Sequence, residues 1–347
     1  MKIFRPIYVK EFKCDGKACD SRCCRDWRIA VDEEARAKYS RLPADERQKI
    51  LRHFDDSAQA FTLQTSGACP FLDENFLCKL QIEYGENYLP SICQSFPRVT
   101  YRLGEEFFLQ AMTLTCPVAA ILILLRGDPI TFETVDELRA RQVFDFTARI
   151  PLPAEEFIAR QQAAVKILQR RELSINARLA ELCKFFGEEA STEFDAANHA
   201  LTLATIFGQM YDAKLTDDQK AQFVEVYLTQ GKNILTQLRG HFATVLENYL
   251  VNEFVMRCYP YAFAGDERFN CRVFVTVYRA VEFAAVLTTI SRSRLTLEGF
   301  LELLCALNDK LDHSKGGMAA IKDFAATNTG ERFYSTMIEV MTYEGNS

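Results

Sequence analysis

Cysteine thiols crowd the first third of this sequence. They run Cys14-x4-Cys19-x3-Cys23-Cys24, then 44 residues, then Cys69-x8-Cys78-x14-Cys93-x22-Cys116, and they make up eight of the chain's twelve cysteines. Two chemistries gather thiols in this way, disulfide stapling and metal binding, and the redox compartment decides between them. The N-terminal run MKIFRPIYVKEFK is broken by Arg5, Pro6, Lys10, Glu11 and Lys13. It lacks the uninterrupted apolar core of a signal peptide, so a cytoplasmic location is expected. In a reducing compartment clustered thiols stay thiols, and thiolates with no cation among them repel one another and oxidise. Metal binding is therefore expected, with Cys14, Cys19, Cys23, Cys24, Cys69, Cys78, Cys93 and Cys116 as the ligands.

The identity of the metal turns on spacing. Structural zinc sites use paired Cys-x2-4-Cys knuckles, and the close spacings here are confined to Cys14/Cys19, Cys19/Cys23 and the adjacent Cys23-Cys24. The later cysteines are single and sit in apolar or proline-containing surroundings, as in Cys69-Pro70-Phe71-Leu72 and Thr115-Cys116-Pro117. Thiolates from distant, sheltered segments suit an iron–sulfur cluster at least as well as zinc. Eight thiols exceed what one four-cysteine cluster uses. Either there are two metal sites, or some of the eight are structural.

The stretches Tyr8 to Asp32 (YVKEFKCDGKACDSRCCRDWRIAVD), Cys69 to Arg98 (CPFLDENFLCKLQIEYGENYLPSICQSFPR) and Leu114 to Ala120 (LTCPVAA) closely resemble the flagellin lysine-N-methylase family. Through the same cysteines that family is similar to a broader group of zinc- or iron-chelating proteins. The likeness extends to Leu246–Tyr261 (LENYLVNEFVMRCYPY) and, more loosely, to Leu307–Ser314. The resemblance implies an iron–sulfur protein, with a 4Fe-4S cluster expected and zinc as the alternative, that methylates surface lysines of flagellin from S-adenosylmethionine.

The elements that must position the thiols are read from the rest of the chain. With 48% hydrophobic and 25% charged residues the composition is that of a globular chain. The aliphatic run Ala119–Leu125 is far short of the roughly 20 residues that span a bilayer, and Arg126 closes it, so no membrane association is expected. Residues 1–130 carry 18 basic and 18 acidic side chains, and residues 131–347 carry 23 and 29. No concentrated basic surface is present, which disfavours a nucleic-acid partner. An acidic half is compatible with a lysine-bearing protein.

Residues 1–13 read as an extended lead-in, Cys14 to Trp27 as a loop, and Trp27 to Val31 as a short strand or turn. Asp32 is placed to cap a helix with Glu33 and Glu34 in its first turn, and Pro43 to break it. Beyond about Thr134 the pattern turns helical. Ser174 precedes the 3.6-period stripe Ile175, Leu179, Leu182 and Phe186, with Gly187 as a stop. Thr216 and Gln219 fit a capping box, and Thr296 starts a stripe running from Phe300 to Leu311. The expectation is a mainly α protein, with an irregular cysteine-rich metal-binding region over residues 1–130 packed on a helical domain over 131–347.

Cys183, Cys258, Cys271 and Cys305 read as core residues. The histidines are scattered and give no zinc-hydrolase pair, and no Gly-x-Gly-x-x-Gly, Walker or Gly-x-Ser-x-Gly motif is present. No familiar loop is therefore available for the methyl donor, and no catalytic residue is assigned. Five residues stand as candidate cofactor or substrate contacts, each against an ordinary structural role. Trp27, the only tryptophan, is placed to shield the metal or stack on a cation. Arg98 is placed to bring positive charge near thiolates. Asn248, Tyr249 and Asn252 lie on a helix where buried amides can orient a ligand. A metal-binding or electron-transfer module without methylase activity is the competing class.

Overall fold

The computed structural model describes residues 1–14, 19, 21–25, 27–136, 142–189, 191, 193–313 and 315–339. The loop expected between Cys14 and Trp27 is thus described in part, and Ser314 lies outside the described residues. The fold is mainly helical, with fifteen α-helices among the described residues. The chain forms two compact units, one of residues 1–120 with 132–146, the other of residues 121–131 with 147–347.

The first unit holds all eight early cysteines and a sheet that the hydropathy pattern does not announce. Its strands are β1 (Lys2–Pro6), β4 (Arg98–Arg102), β5 (Phe107–Met112), β6 (Phe132–Val135) and β7 (Phe144–Asp145), in the order β6-β1-β5-β4-β7. Of the lead-in expected to be extended over residues 1–13, Lys2–Pro6 is a strand, running parallel to β5 with Ile3 opposite Phe108 and antiparallel to β6 with Ile3 opposite Val135, while Tyr8–Glu11 forms a short helix. Strands β4 and β5 form a hairpin that pairs Arg98 with Met112. From Phe108 to Met112 every side chain is buried, as a strand covered on both faces requires, and the amide of Gln110 is satisfied by donating to Thr100 Oγ1 at 3.0 Å.

Between β1 and β4 lie short elements that carry thiols. A two-stranded hairpin of β2 (Phe54–Asp55) and β3 (Ala60–Phe61) extends beside residues 29–31, where Phe61 N donates to Ile29 O and Val31 N to Gln59 O, both at 3.0 Å. Asp32 caps the helix Glu33–Ser40 by accepting from Ala35 N at 3.0 Å, and after the break a second helix follows Pro43, Ala44–Leu51. The interior of this part is an apolar cluster that includes Ile29, Tyr39, Ile50, Phe61, Phe71 and Leu80.

The second unit is helical throughout its ordered core. Its capping chemistry is as expected from the sequence: Ser174 accepts from Ala177 N at the start of Ile175–Phe185, and Thr216 and Gln219 form a reciprocal box at the start of Asp217–His241. Gly187 adopts φ +81°, a left-handed stop that glycine tolerates without strain. The central helix is Glu267–Arg292, in which every residue from Asn270 to Val286 is buried. By length and composition it is apolar enough to cross a bilayer, a feature the aliphatic-run count overlooks because polar residues interrupt the run. Those interruptions are ion-paired inside the unit. Arg279 Nη1 reaches Glu282 at 2.6 Å, Arg239 Nε reaches the same carboxylate at 2.7 Å, and Arg272 pairs with Glu188. Burial by itself raises the pKa of Glu282, but the two guanidiniums hold it down to about 2. Paired charges within a packed bundle mark a core helix.

Candidate metal centre

All eight early cysteines line one cavity of the first unit, with a volume of about 270 Å³. The thiols arrive on different elements, and each is held by local backbone chemistry. Cys23 and Cys24 lie on a 3-10 turn (Arg22–Cys24) whose sulfurs are 3.8 Å apart. Cys69 N donates to Cys24 O at 2.7 Å, fixing the next segment to that turn. The chain then folds back on itself, with Leu72 bridged to Cys78 and Lys79 N donating to Phe71 O at 2.8 Å. Cys78 is the N-cap residue of the helix Lys79–Tyr84. Cys93 sits in the short helix Ser91–Ser95, whose first N–H donates to Asp32 Oδ2 at 2.6 Å, so one aspartate both caps its own helix and anchors the Cys93 helix. Cys116 immediately precedes Pro117–Leu124, a helix begun by proline at the position that needs no N–H.

The electrostatics are those of a thiol-rich site awaiting positive charge. Burial pushes the Cys69 thiol up to about 11 and the Cys116 thiol up to about 11, and it raises Cys78 and Cys93 as well. Cys24 is raised by its hydrogen bond with Cys23, then by burial and by the neighbouring Cys23, Cys69 and Cys78. Opposing this, backbone N–H groups aim at three of the sulfurs: Phe71 at Cys69, Leu80 and Gln81 at Cys78, and Val118 and Ala119 at Cys116. Such donors stabilise thiolates once a cation displaces the protons. Among the described residues no three Cys, His, Asp or Glu side chains stand together in a ligating group. The donor set, eight soft sulfurs in a largely apolar lining, suits zinc or iron and not magnesium or calcium.

The other candidates divide between the units. Arg98 lines the cavity, stacked over the Phe12 ring at 5.1 Å and donating to Phe12 O at 3.1 Å. Trp27 lies behind the lining, donating from Nε1 to Cys23 O at 2.9 Å and packing on Phe96 with ring centroids 6.3 Å apart. It positions the Cys23 carbonyl. Asn248, Tyr249 and Asn252 are fully buried on the helix Ala243–Met256 of the second unit and are not among the residues lining the cavity. Asn248 Nδ2 donates to Leu124 O and Arg126 O at 3.1 and 2.9 Å, which caps the end of the Pro117–Leu124 helix. Sequence reasoning overlooked Arg22, Gln81, Glu86 and Gln94, polar residues that also line the cavity. The available signal was their closeness in sequence to Cys23, Cys78 and Cys93. Cys271, expected in the core, is buried, and folding brings its sulfur to 3.9 Å from that of Cys183.

Cavity and donors have the composition of a thiol-lined metal-binding module. Residues 13–117, which enclose all eight thiols, match a protein family described as "Putative zinc- or iron-chelating domain" and named for the pattern CxxCxxCC. The first spacers here are four and three residues where that name has two and two. A lysine-N-methylase of Salmonella typhimurium is 25% identical over 233 residues, covering 65% of this chain and 52% of the relative, and that of Salmonella choleraesuis gives the same values. The flagellar biosynthetic protein FliU of Salmonella muenchen is 31% identical over 135 residues, 37% of this chain and 78% of the relative. The chain belongs to the family of these lysine-N-methylases and FliU. It spans about half the length of the lysine-N-methylases it matches. No solved structure matches it.

Proposed function

We propose that the chain is a protein-lysine N-methyltransferase that takes its methyl group from S-adenosylmethionine, acts on flagellin in the cytoplasm and depends on an iron–sulfur cluster held by the thiol-lined cavity. The observation that carries the metal half of this reading is the convergence of eight thiols, from segments up to a hundred residues apart, on one cavity. The methylase half rests on the names of the Salmonella relatives. When bound, the cluster would supply a redox-active centre.

The transfer itself places demands on the protein. A lysine ammonium, with a reference pKa near 10.4, first gives up its proton to a base or to water. The Nζ lone pair then forms a bond to the methyl carbon, the methyl–sulfur bond of the sulfonium breaks, and S-adenosylhomocysteine leaves. Arg98 and Arg22 are the cationic groups of the cavity and suit the donor's carboxylate. The surplus of acidic over basic residues in 131–347 favours association with a lysine-bearing partner.

The test is anaerobic purification with measurement of iron and acid-labile sulfide, followed by incubation with methyl-labelled S-adenosylmethionine and flagellin. A brown protein that labels flagellin lysines is expected. An iron-loaded protein that leaves flagellin unlabelled would be a metal-binding or electron-transfer module.

A further inference from the structure

We infer that Cys183 and Cys271 form a redox-modification site in the second unit, a buried dithiol that hydrogen peroxide closes to a disulfide and a thiol reductant reopens. Neither residue lines the thiol-rich cavity, and the site depends neither on metal nor on methyl transfer.

The geometry brings the two sulfurs together from different helices. Cys183 lies in the last turn of Ile175–Phe185 and Cys271 in the second turn of Glu267–Arg292. Both are buried, and their sulfurs stand 3.9 Å apart. A disulfide bond is about 2.05 Å long, so the sulfurs must approach by about 1.9 Å, a movement shared between two side chains that each turn about one Cα–Cβ bond. The backbone on either side is already tied. Cys183 O accepts from Glu188 N at 2.9 Å, and the Glu188 carboxylate pairs with Arg272, the residue after Cys271. Arg272 Nε donates in turn to Ala325 O at 2.7 Å, which fixes this point of the central helix to a third segment. The folded chain thus holds the thiols face to face before any bond forms, so closure costs little ordering entropy.

Peroxide is the oxidant whose size suits a site closed to solvent, since it is little larger than water. One thiol gives up its proton and its sulfur attacks the peroxide, the O–O bond breaks, and a sulfenic acid and one water result. The second sulfur then attacks the sulfenic sulfur, the S–O bond breaks, and a second water leaves with the remaining proton. Two thiols and one peroxide become one disulfide and two waters, with each sulfur oxidised by one electron and the peroxide reduced by two. Burial keeps the resting pair as thiols in a reducing compartment, and the disulfide is a state entered under oxidant. Closure joins helices across a loop of about 90 residues, and the loss of unfolded-chain freedom stabilises the helical unit.

The experiment uses the full chain, treated with hydrogen peroxide, alkylated in denaturant and digested with trypsin without reduction. The expected product is a peptide joining Leu179–Lys184 to Phe269–Arg272, two hydrogens lighter than the separate peptides, with buried Cys258 recovered alkylated. The urea midpoint of the helical circular dichroism should rise by about 1 M in the treated protein and return after dithiothreitol. Cys271→Ala should form no linked peptide and show no rise. Recovery of Cys183 and Cys271 as separately alkylated peptides once exposed Cys14 has been oxidised overturns the inference. So does their pairing with other cysteines, or a linked peptide formed with an unchanged midpoint. The readings on the unsubstituted chain stand by themselves if Cys271→Ala does not fold.

Discussion

Replacing Asp32 by alanine removes one carboxylate that serves two elements of the metal-binding unit. Its Oδ1 caps Glu33–Ser40 through Ala35 N at 3.0 Å, and its Oδ2 receives Ser91 N at 2.6 Å, where the Cys93 helix begins. Loss of an N-cap costs about 1 kcal/mol. Stranding the Ser91 N–H costs about 1–3 kcal/mol more, toward the lower end here because Asp32 is half-buried and water can reach the vacated space. The expected destabilisation is about 2 kcal/mol. Urea unfolding reads it with a local reporter, because Trp27 is the chain's only tryptophan and sits against Cys23 in this unit. With a slope of about 2 kcal/mol per molar urea, the fluorescence midpoint should fall by about 1 M. The far-ultraviolet circular dichroism, which comes mostly from the helices beyond residue 147, should move much less. The effect also has a pH signature. Burial alone would raise the Asp32 pKa, but the Ser91 and Ala35 N–H groups outweigh it and hold the carboxyl below its ordinary range. A depressed carboxyl stabilises the fold above its unfolded pKa and loses that contribution as pH falls through the folded value. The gap between wild type and Asp32→Ala should therefore be full at neutral pH and close below about pH 4. An unchanged fluorescence midpoint at neutral pH, or an equal shift of both signals, refutes the reasoning.

His199 is buried, with Nδ1 to Thr336 O at 2.7 Å and Nε2 to Tyr227 Oη at 3.2 Å, and burial with nearby Arg279 lowers its pKa from 6.5 to about 4. The unfolded chain binds a proton there that the folded chain refuses. Stability should therefore drop as pH falls from about 6.5 to 4, by up to about 3 kcal/mol, and His199→Gln should flatten that slope in urea titrations, a flat wild-type profile being the contrary result. Asn248→Ala strands the Leu124 and Arg126 carbonyls and should cost about 1–3 kcal/mol in denaturant unfolding, with an unchanged midpoint telling against the cap. Removing metal should loosen residues 14–116 before the helices beyond 150, as hydrogen exchange would register, and equal loss of protection in both would contradict that order.

Much of the helical structure was legible because its signals are local. Ser174, Thr216 with Gln219, and Asp32 each bond a backbone group within three residues, and the stripe from Ile175 to Phe186 follows the pitch of one helix. Cysteine type and number likewise carried the metal chemistry, since soft sulfur donors select zinc or iron wherever folding puts them. The sheet could not be read in this way. Strand β1 finds its parallel partner β5 about a hundred residues later, and no pattern within Lys2–Pro6 specifies that pairing. The same holds for the buried Cys183 and Cys271 sulfurs and for the Arg239–Glu282–Arg279 network, whose members look like unrelated polar residues along the chain. Asn248 shows the point in one residue. The sequence offered an amide on a helix face, and only the fold supplied the two carbonyls, more than a hundred residues away, that make it a helix cap. For the eight thiols, the sequence determined the residue types, while the Cys69 to Cys24 bond, the Leu72–Cys78 turn and the Asp32 anchor of the Cys93 helix help bring them to one cavity. Those are contacts between segments whose approach depends on burying a common apolar base, a cooperative, non-local gain that no single stretch of chain encodes.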